Sequence, residues 1–435
     1  TAVGYGALNN NTTADNNTAV GMLALADTTT GGDNTGMGYA CLFENTTGTQ
    51  NVAVGAYALK ENTTASYNAA VGWQALWSNT TGYSNTAVGG RALEANTTGS
   101  HNTAVGINTL DVNTTGSYNA AFGRNALGGN TTASYNSAFA YNALEANTTG
   151  TENAAFGYKA LQANTTGDQN TAVGVAALDS NTTANNNTAL GYQALTANTT
   201  GTENVAVGVD ALYANTTASY NTALGTSNLR SNTTGTRNTA VGREALYAST
   251  TANDCVAIGY AALTAHTTGG NCVAIGYLAG HDITTANSVV CVGNQAGNGQ
   301  VTTGGDQLYI ARMPQNSGNA AVWIYGTATG ACYQGNNSSS WSTTSDRRLK
   351  KNIVDNTKGL AEINQLRVTD FEYKNEEEID MSEFPLADGP HQVALGKGNE
   401  GTKTGVIAQE IETVLPECIN ISEKGAKTVD TDPIM

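Results

Sequence analysis

The residues with the clearest capacity for chemistry open the C-terminal fifth of the chain, where Ser345 and Lys350 lie among other basic residues. A serine hydroxyl is a weak nucleophile until a base removes its proton, and a desolvated lysine can act as that base. The lysine must first lose its own proton, which burial or the cations Arg347, Arg348 and Lys351 would favour. The same residues also fit the solvated first turn of a helix with Ser345 as its N-cap. Taken alone, they favour the helix.

The wider segment carries a resemblance to a known family. It reads Trp341-Ser-Thr-Thr-Ser-Asp-Arg-Arg-Leu-Lys-Lys-Asn-Ile353 and resembles the start of the endosialidase-type intramolecular chaperone, the self-cleaving domain at the end of many phage tail fibres and spikes. Further blocks follow in order, including Leu360-Ala-Glu-Ile-Asn-Gln-Leu, Thr404-Gly-Val-Ile-Ala-Gln-Glu and Gly425-Ala-Lys-Thr-Val-Asp. The resemblance covers residues 341–435.

This resemblance implies roles for single residues. Ser345 would be the nucleophile and Lys350 the general base, and attack on the preceding carbonyl would cut the bond between Thr344 and Ser345. The chain would then be at most a single-turnover serine autoprotease with no other catalytic activity. The family continues into a long C-terminal helix that helps to hold a trimer together. Because this chain starts at Thr1 and stops at Met435 before that helix, we expect it to be a fragment of a longer fibre protein.

Charge divides the chain near residue 345. Residues 1–344 hold 25 charged side chains, whereas residues 345–435 hold 29. The net charge of −16 argues against binding to nucleic acid or to an anionic membrane, because phosphates would be repelled. No run of about 18 apolar residues predicts a membrane-spanning helix, and no signal peptide is recognisable.

A 17-residue repeat dominates the N-terminal part. Glycine recurs every 17 residues from Gly4 to Gly293, in 18 positions with Ala140 as the single exception. A leucine follows four residues later from Leu8 to Leu263. The unit reads Asn-Thr-Ala-Val-Gly-x-x-Ala-Leu-x-x-Asn-Thr-Thr-Gly-x-x, and no insertion or deletion interrupts it.

The unit predicts a β-solenoid. Seventeen residues are too few for a helix pair, whereas Val and Thr favour strands and Gly and Asn-Thr-Thr favour turns. We expect two short strands and two turns per rung, with Val20, Phe122 and the leucines inside. A rung with so few apolar residues must stack on others and associate sideways. Eighteen rungs at about 4.8 Å each predict a rod of about 85 Å.

The last rungs carry a second resemblance. Cys255-Val-Ala-Ile-Gly259-Tyr and Cys272-Val-Ala-Ile-Gly276-Tyr are similar to the repeats in the heads of trimeric autotransporter adhesins. That family implies a left-handed parallel β-roll with three chains side by side. The fold class is therefore mostly β: a trimeric parallel β-solenoid shaft (1–297), a small β knob or cap (298–340) and an α+β chaperone domain (341–435).

Polar and aromatic repeat positions leave alternatives open. Thirteen Asn-Thr-Thr sequences are formally glycosylation sites, but stacked side-chain ladders at a shared turn explain them better. Tyrosines after the repeat glycine cover the turn or, alternatively, stack on sugars. These tyrosines include Tyr39, Tyr141, Tyr158, Tyr192, Tyr260 and Tyr277.

No metal or cofactor is predicted. His101, His266, His281 and His391 are isolated in sequence, and the six cysteines contain no Cys-x-x-Cys pair. Cys255 and Cys272 occupy equivalent positions one rung apart, so we expect stacked thiols, with a disulfide between rungs as the alternative.

The sequence predicts a structural and host-recognition protein, a homotrimeric phage tail fibre in the virion tail, assembled in the host cytoplasm. Its predicted partners are a host cell-surface receptor, with a glycan as one candidate, and other tail proteins bound through a missing N-terminus. A bacterial trimeric surface adhesin with the same shaft is the alternative, placed on the cell surface. A polysaccharide-degrading spike is a weaker third, because such enzymes need paired carboxylates in a cleft.

Overall fold

The computed structural model describes residues 1–299 and 305–311, together with six strands between residues 322 and 429. The chain divides into two units, Thr1–Trp341 and Ser342–Met435. All regular secondary structure in the described part is β-strand. The same part contains no helix that could cross a membrane.

Eighteen strands form the shaft, and one strand falls in each 17-residue rung. They are β1 (Ala2–Val3), β2 (Thr18–Val20), β3 (Thr35–Met37), β4 (Val52–Val54), β5 (Ala69–Val71), β6 (Thr86–Val88), β7 (Thr103–Val105), β8 (Ala120–Phe122), β9 (Ser137–Phe139), β10 (Ala154–Phe156), β11 (Thr171–Val173), β12 (Thr188–Leu190), β13 (Val205–Val207), β14 (Thr222–Leu224), β15 (Thr239–Val241), β16 (Val256–Ile258), β17 (Val273–Ile275) and β18 (Val289–Val292).

Consecutive strands pair in parallel with a register of one repeat. Ala155 pairs with Ala172, for example, and Ala172 pairs with Ala189. This register confirms the parallel β-solenoid of 17-residue rungs. The expected second strand of each rung is absent from the described shaft. Other columns are hydrogen-bonded from rung to rung without strand geometry, as in the 3.0 Å bond from the Leu161 amide to the Ala177 carbonyl.

The interior of the shaft contains fewer of the apolar residues than the sequence predicts. The middle residue of each strand points inward, and Ala155 and Ala172 are fully buried. The leucine column is also buried, as predicted, and Leu161 and Leu178 have no exposed surface. The assignment of the residue before the repeat glycine to the interior is wrong, however. Phe122 is 36% exposed, because alternate residues of a strand face opposite sides and the middle alanine takes the inner side.

Tight turns join the parts of each rung, and they require unusual backbone conformations. All sixteen leucines from Leu8 to Leu263 have φ between 48° and 54°, in the left-handed region. The repeat glycines have φ above 110°, where L-residues are strained. A Cβ on Gly157 would lie 2.4 Å from the carbonyl oxygen of Gly174 in the next rung. The glycine column therefore allows neighbouring rungs to approach closely.

The shaft ends in a change of strand direction. β19 (Gln307–Ala311) still pairs in parallel with β18, but β20 (Val322–Gly326) and β21 (Cys332–Gln334) continue the sheet in antiparallel pairings. These three strands lie in the region, residues 298–340, for which the sequence predicts a small β knob or cap. An antiparallel hairpin at this point covers the edge that the last parallel rung would otherwise expose.

The second unit contributes two antiparallel pairs in its described residues. β22 (Thr369–Phe371) pairs with β23 (Lys403–Gly405), and β24 (Ile419–Ile421) pairs with β25 (Lys427–Val429). The helical part of the predicted α+β domain lies outside the described residues.

Candidate functional site

The predicted catalytic pair belongs to the second unit. Thr344, Ser345 and Lys350 all lie outside the described residues. The proposed nucleophile, base and scissile bond therefore stay predictions from the sequence. The geometry available for chemistry or binding is that of the shaft, in its polar interior and on its outer faces.

A ladder of asparagine side chains, ladder 1, runs through the interior of the shaft. It consists of the asparagines that open the Asn-Thr-Thr sequences from Asn45 to Asn232. From Asn62 onward, each side-chain amide donates to the amide oxygen of the asparagine one rung earlier, over 2.8–3.0 Å. All twelve side chains are fully buried. The predicted stacked ladder is confirmed, and these twelve sites cannot carry glycans.

A second asparagine column, ladder 2, lies beside the first and runs from Asn17 to Asn238. Its side-chain oxygens accept backbone amides from the next rung, as in the 2.9 Å bond from the amide of Asn170 to Asn153. The two ladders share acceptors. The carbonyl of Gly167 accepts the side-chain amides of Asn153 at 2.8 Å and Asn164 at 3.0 Å. Over most rungs, the buried side-chain amides of the two ladders are thus paired.

Ladder 1 stops at the C-terminal end of the shaft, where Ser249, His266 and Ile283 take the asparagine position. Three buried polar atoms in these rungs have no hydrogen-bond partner: Oδ1 of Asn232, Oγ of Ser249 and Nδ1 of His266. The serine is too short to reach the asparagine oxygen below it. The pairing of polar groups therefore fails where the sequence departs from the repeat.

The structure corrects the interpretation of His266 as an isolated residue. Ladder 2 also changes at this end, where Cys255 and Cys272 replace asparagine, and the two thiols meet His266 inside the shaft. The potential ligand atoms of the three residues lie within 4.8 Å of one another, and all three side chains are buried. Sequence spacing hid this cluster because its members are 6, 11 and 17 residues apart. Those separations become neighbours only when rungs stack.

The two cysteines of the cluster affect each other's protonation. Interaction between the two thiols lowers the pKa of Cys272 to about 5, and the same interaction together with burial raises the pKa of Cys255. His266 adds a smaller lowering effect on Cys272. By contrast, burial raises the pKa of Cys41 to about 11 and that of Cys291 to about 12. All four are free thiols.

A stripe of large apolar residues runs along the outside of the shaft. The residue before the repeat position is Val, Met, Phe, Leu or Ile in all 18 rungs, from Val3 to Val292. None of these side chains is buried, and Met37 and Leu190 are each 46% exposed. Three phenylalanines stack within the stripe, Phe122 on Phe139 and Phe139 on Phe156, with ring centroids 4.7 Å apart.

Exposed aromatic rows flank this stripe. The tyrosines after the repeat glycine lie on the surface, and Tyr141 stacks on Tyr158 with centroids 5.7 Å apart. A separate row stacks His101, Tyr118 and Tyr135 at 4.8 and 5.1 Å. The side chains of both rows are partly exposed, for example 41% for Tyr141 and 50% for Tyr118.

Comparison with known proteins gives a family match for part of the C-terminal unit. Residues 345–420 match the family described as chaperone of endosialidase. The match begins at Ser345, the residue that the sequence predicts as nucleophile. No curated protein and no solved structure matches the chain. The similarity of the shaft to adhesin heads therefore rests on the repeat itself.

Proposed function

We propose that this chain is a phage tail fibre, a homotrimeric rod that a C-terminal chaperone assembles before cutting itself off between Thr344 and Ser345. The family match at residues 345–420 carries the proposal. A bacterial adhesin would share the shaft, but it offers no role for a self-cleaving chaperone. The fibre interpretation accounts for both parts of the chain and places it in the virion tail.

The repeat itself creates the need for a chaperone. Consecutive rungs carry nearly the same residues, so a chain shifted by one rung would pair almost as well as a chain in register. A domain that does not repeat, and that trimerises first, can set the register of three chains. Cleavage after assembly then removes the template and leaves a shaft that cannot unfold back along the same path.

The apolar stripe supports a trimer of the shaft. An interior of alanine, leucine and asparagine buries little apolar surface per rung, whereas every rung leaves the apolar residue of the stripe at least partly exposed. A partner for 18 evenly spaced apolar residues needs the same rung spacing, and a second copy of this chain has it. We therefore assign the stripe to the contact between copies.

A matched pair of variants tests this contact. The stripe never carries a charge, but the column two residues later contains Arg124 and Arg243. Val173→Arg should abolish the trimer, because it places a charge in the apolar contact, while Val175→Arg should leave it intact. With cleavage blocked by Ser345→Ala, sedimentation should give three times the 44.6 kDa chain mass. A monomeric parent protein would refute the trimer.

The same expression system tests the self-cleavage. The full-length gene should yield a fragment that begins at Ser345 and a fibre that ends at Thr344. Ser345→Ala and Lys350→Ala should each leave an uncut but assembled trimer, while Ser342→Ala, a neighbouring serine, should be cut normally. Normal cleavage in Ser345→Ala would exclude this nucleophile. Soluble native trimers from a chain that lacks residues 345–435 would exclude the chaperone role.

Host recognition belongs to the same proposal. The exposed aromatic rows offer ring surfaces of the kind that stack on sugars, and a cell-surface glycan is the receptor class that they suit. Tyr141→Ala together with Tyr158→Ala should weaken adsorption of fibre to host cells without changing fibre assembly. Unchanged adsorption would move the receptor contact to another part of the fibre, such as the cap after the last rung.

A further inference from the structure

The polar interior of the shaft changes its chemistry at one place. Over most rungs, ladders 1 and 2 present amide groups to each other. At the C-terminal end, ladder 2 holds Cys255 and Cys272, and the facing position of ladder 1 holds His266. Soft sulfur and imidazole ligands thus replace hard amides in both columns at the same height. This joint replacement is the observation from which the inference starts.

The cluster occupies the same framework as the asparagines that it replaces. The Gly269 carbonyl corresponds to that of Gly167, which accepts one amide from each ladder. Here it receives Nε2 of His266 at 2.7 Å and the sulfur of Cys255 at 3.8 Å. The backbone that positions asparagine elsewhere therefore positions thiol and imidazole here. No loop or separate domain is needed to bring the three residues together.

One ring nitrogen of His266 has no hydrogen-bond partner. A carbonyl oxygen only accepts hydrogen bonds, so the 2.7 Å contact to Gly269 makes Nε2 the protonated nitrogen of the neutral ring. Nδ1 then carries a lone pair, and this buried atom has no hydrogen-bond partner. A histidine that donates one N–H to a backbone carbonyl and keeps its other nitrogen free has the arrangement of a metal ligand.

The dimensions suit a thiophilic ion. A metal bonded to sulfur at about 2.3 Å and to nitrogen at about 2.0–2.1 Å holds these ligand atoms roughly 3.6 Å apart in tetrahedral geometry. One potential ligand atom from each of the three residues lies within 4.8 Å of the other two. Small rotations of the side chains would close these gaps. Thiolate and imidazole together favour Zn²⁺ or Cu⁺ over oxygen-seeking ions such as Mg²⁺.

We propose that Cys255, His266 and Cys272 form a buried structural site for one thiophilic metal ion, Zn²⁺ or Cu⁺, in each chain. The ion would cross-link two consecutive rungs near the end of the shaft. It would also engage the histidine nitrogen that the broken ladder leaves unpaired. Because the residues are closed off from solvent, the ion must enter as these rungs form and leave only when they open.

Metal content of the purified full-length protein is the direct test. We would express it in medium supplemented with either Zn²⁺ or Cu⁺, pass it over chelator and measure metal by plasma mass spectrometry. We expect about one equivalent per chain from at least one of the two media, retained until the protein is unfolded. Less than a tenth of an equivalent from both media would overturn the proposal. So would a disulfide between Cys255 and Cys272 in protein alkylated without reductant.

Three variants remove the ligands while restoring the repeat. Cys255→Asn, Cys272→Asn and His266→Asn each introduce the residue that most other rungs carry at the equivalent position. The shaft should therefore accommodate each asparagine as it does in those rungs. Each should lower bound metal at least tenfold. Cys41→Ala removes a buried thiol far from the cluster and should keep full occupancy. If a ligand variant does not fold, its metal value is set aside and the parent protein decides. Full occupancy in a folded triple variant would overturn the assignment.

Discussion

The side-chain amide of Asn164 donates to the side-chain oxygen of Asn147, the equivalent residue one rung earlier, over 2.9 Å. The same amide also reaches the Gly167 carbonyl in its own rung at 3.0 Å. Each asparagine of ladder 1 thus closes its own turn and joins it to the previous rung. Because the ladder is buried, its bonds are not exchanged with water, and its loss is more costly than that of a surface turn.

Asn164→Ala should therefore destabilise the shaft by about 2–3 kcal/mol, since it leaves the side-chain oxygen of Asn147 buried and unpaired. This is comparable with Leu161→Ala, for which about 2–5 kcal/mol is typical. Thr166→Ala, at an exposed position of the same turn, should change stability by less than about 0.5 kcal/mol. Thermal unfolding at one scan rate would rank the three. Equal effects of Asn164→Ala and Thr166→Ala would show that the ladder contributes nothing beyond a turn.

Ser249→Asn should stabilise the shaft. The longer side chain would donate to the unpaired oxygen of Asn232 and remove the unpaired Ser249 hydroxyl, for a gain of about 1 kcal/mol. The measurement is the unfolding midpoint of the variant against that of the parent protein. A lower midpoint would mean that the rung has no room for an amide at this position.

In the repeat-glycine column, Gly157→Ala and Ala140→Gly should change the stability of the shaft in opposite directions. Gly157→Ala should be strongly destabilising, because its Cβ would meet the carbonyl of Gly174 and its φ is +145°. Ala140 already occupies this column with φ +138°, so Ala140→Gly should relieve strain of about 1–3 kcal/mol. Unfolding midpoints of both variants would show the opposite signs. If Ala140→Gly lowers the midpoint, the extra conformational entropy that glycine gives the unfolded chain outweighs the relief of strain in the folded one.

Asp179 should make stability fall as the pH rises. Burial raises the pKa of its carboxyl above the ordinary 3.8, and the charge of Lys159 offsets part of this rise. The native state then binds a proton more tightly than the unfolded state does. The favourable contribution is complete below the unfolded pKa and is lost as the pH rises through the folded pKa. Asp179→Asn should thus be more stable than the parent at pH 7 and no different below about pH 3.5. The side chain is partly solvated, so the effect is small, and an equal difference at both pH values would refute this cause.

Several features of the fold followed from the repeat alone. The spacing from Gly4 to Gly293 specifies the rung length, and the parallel register of Ala155 with Ala172 reproduces it. The position of Leu161 inside and the stacking of Asn164 on Asn147 also followed, because identical residues in consecutive rungs must lie above one another. The pair Ser345 and Lys350 was found from its motif and stays a prediction of the sequence.

The inside and outside of each rung, by contrast, were decided only by tertiary structure. A strand of three residues is too short to show an alternating pattern. The sequence therefore predicts Phe122 inside, whereas in the structure the small Ala121 beside it takes the interior position. The meeting of Cys255, His266 and Cys272 was equally hidden. Sequence separations of 6, 11 and 17 residues match no local motif, and they become contacts of a few ångströms only because each rung returns the chain to the same place, one strand spacing further along the shaft.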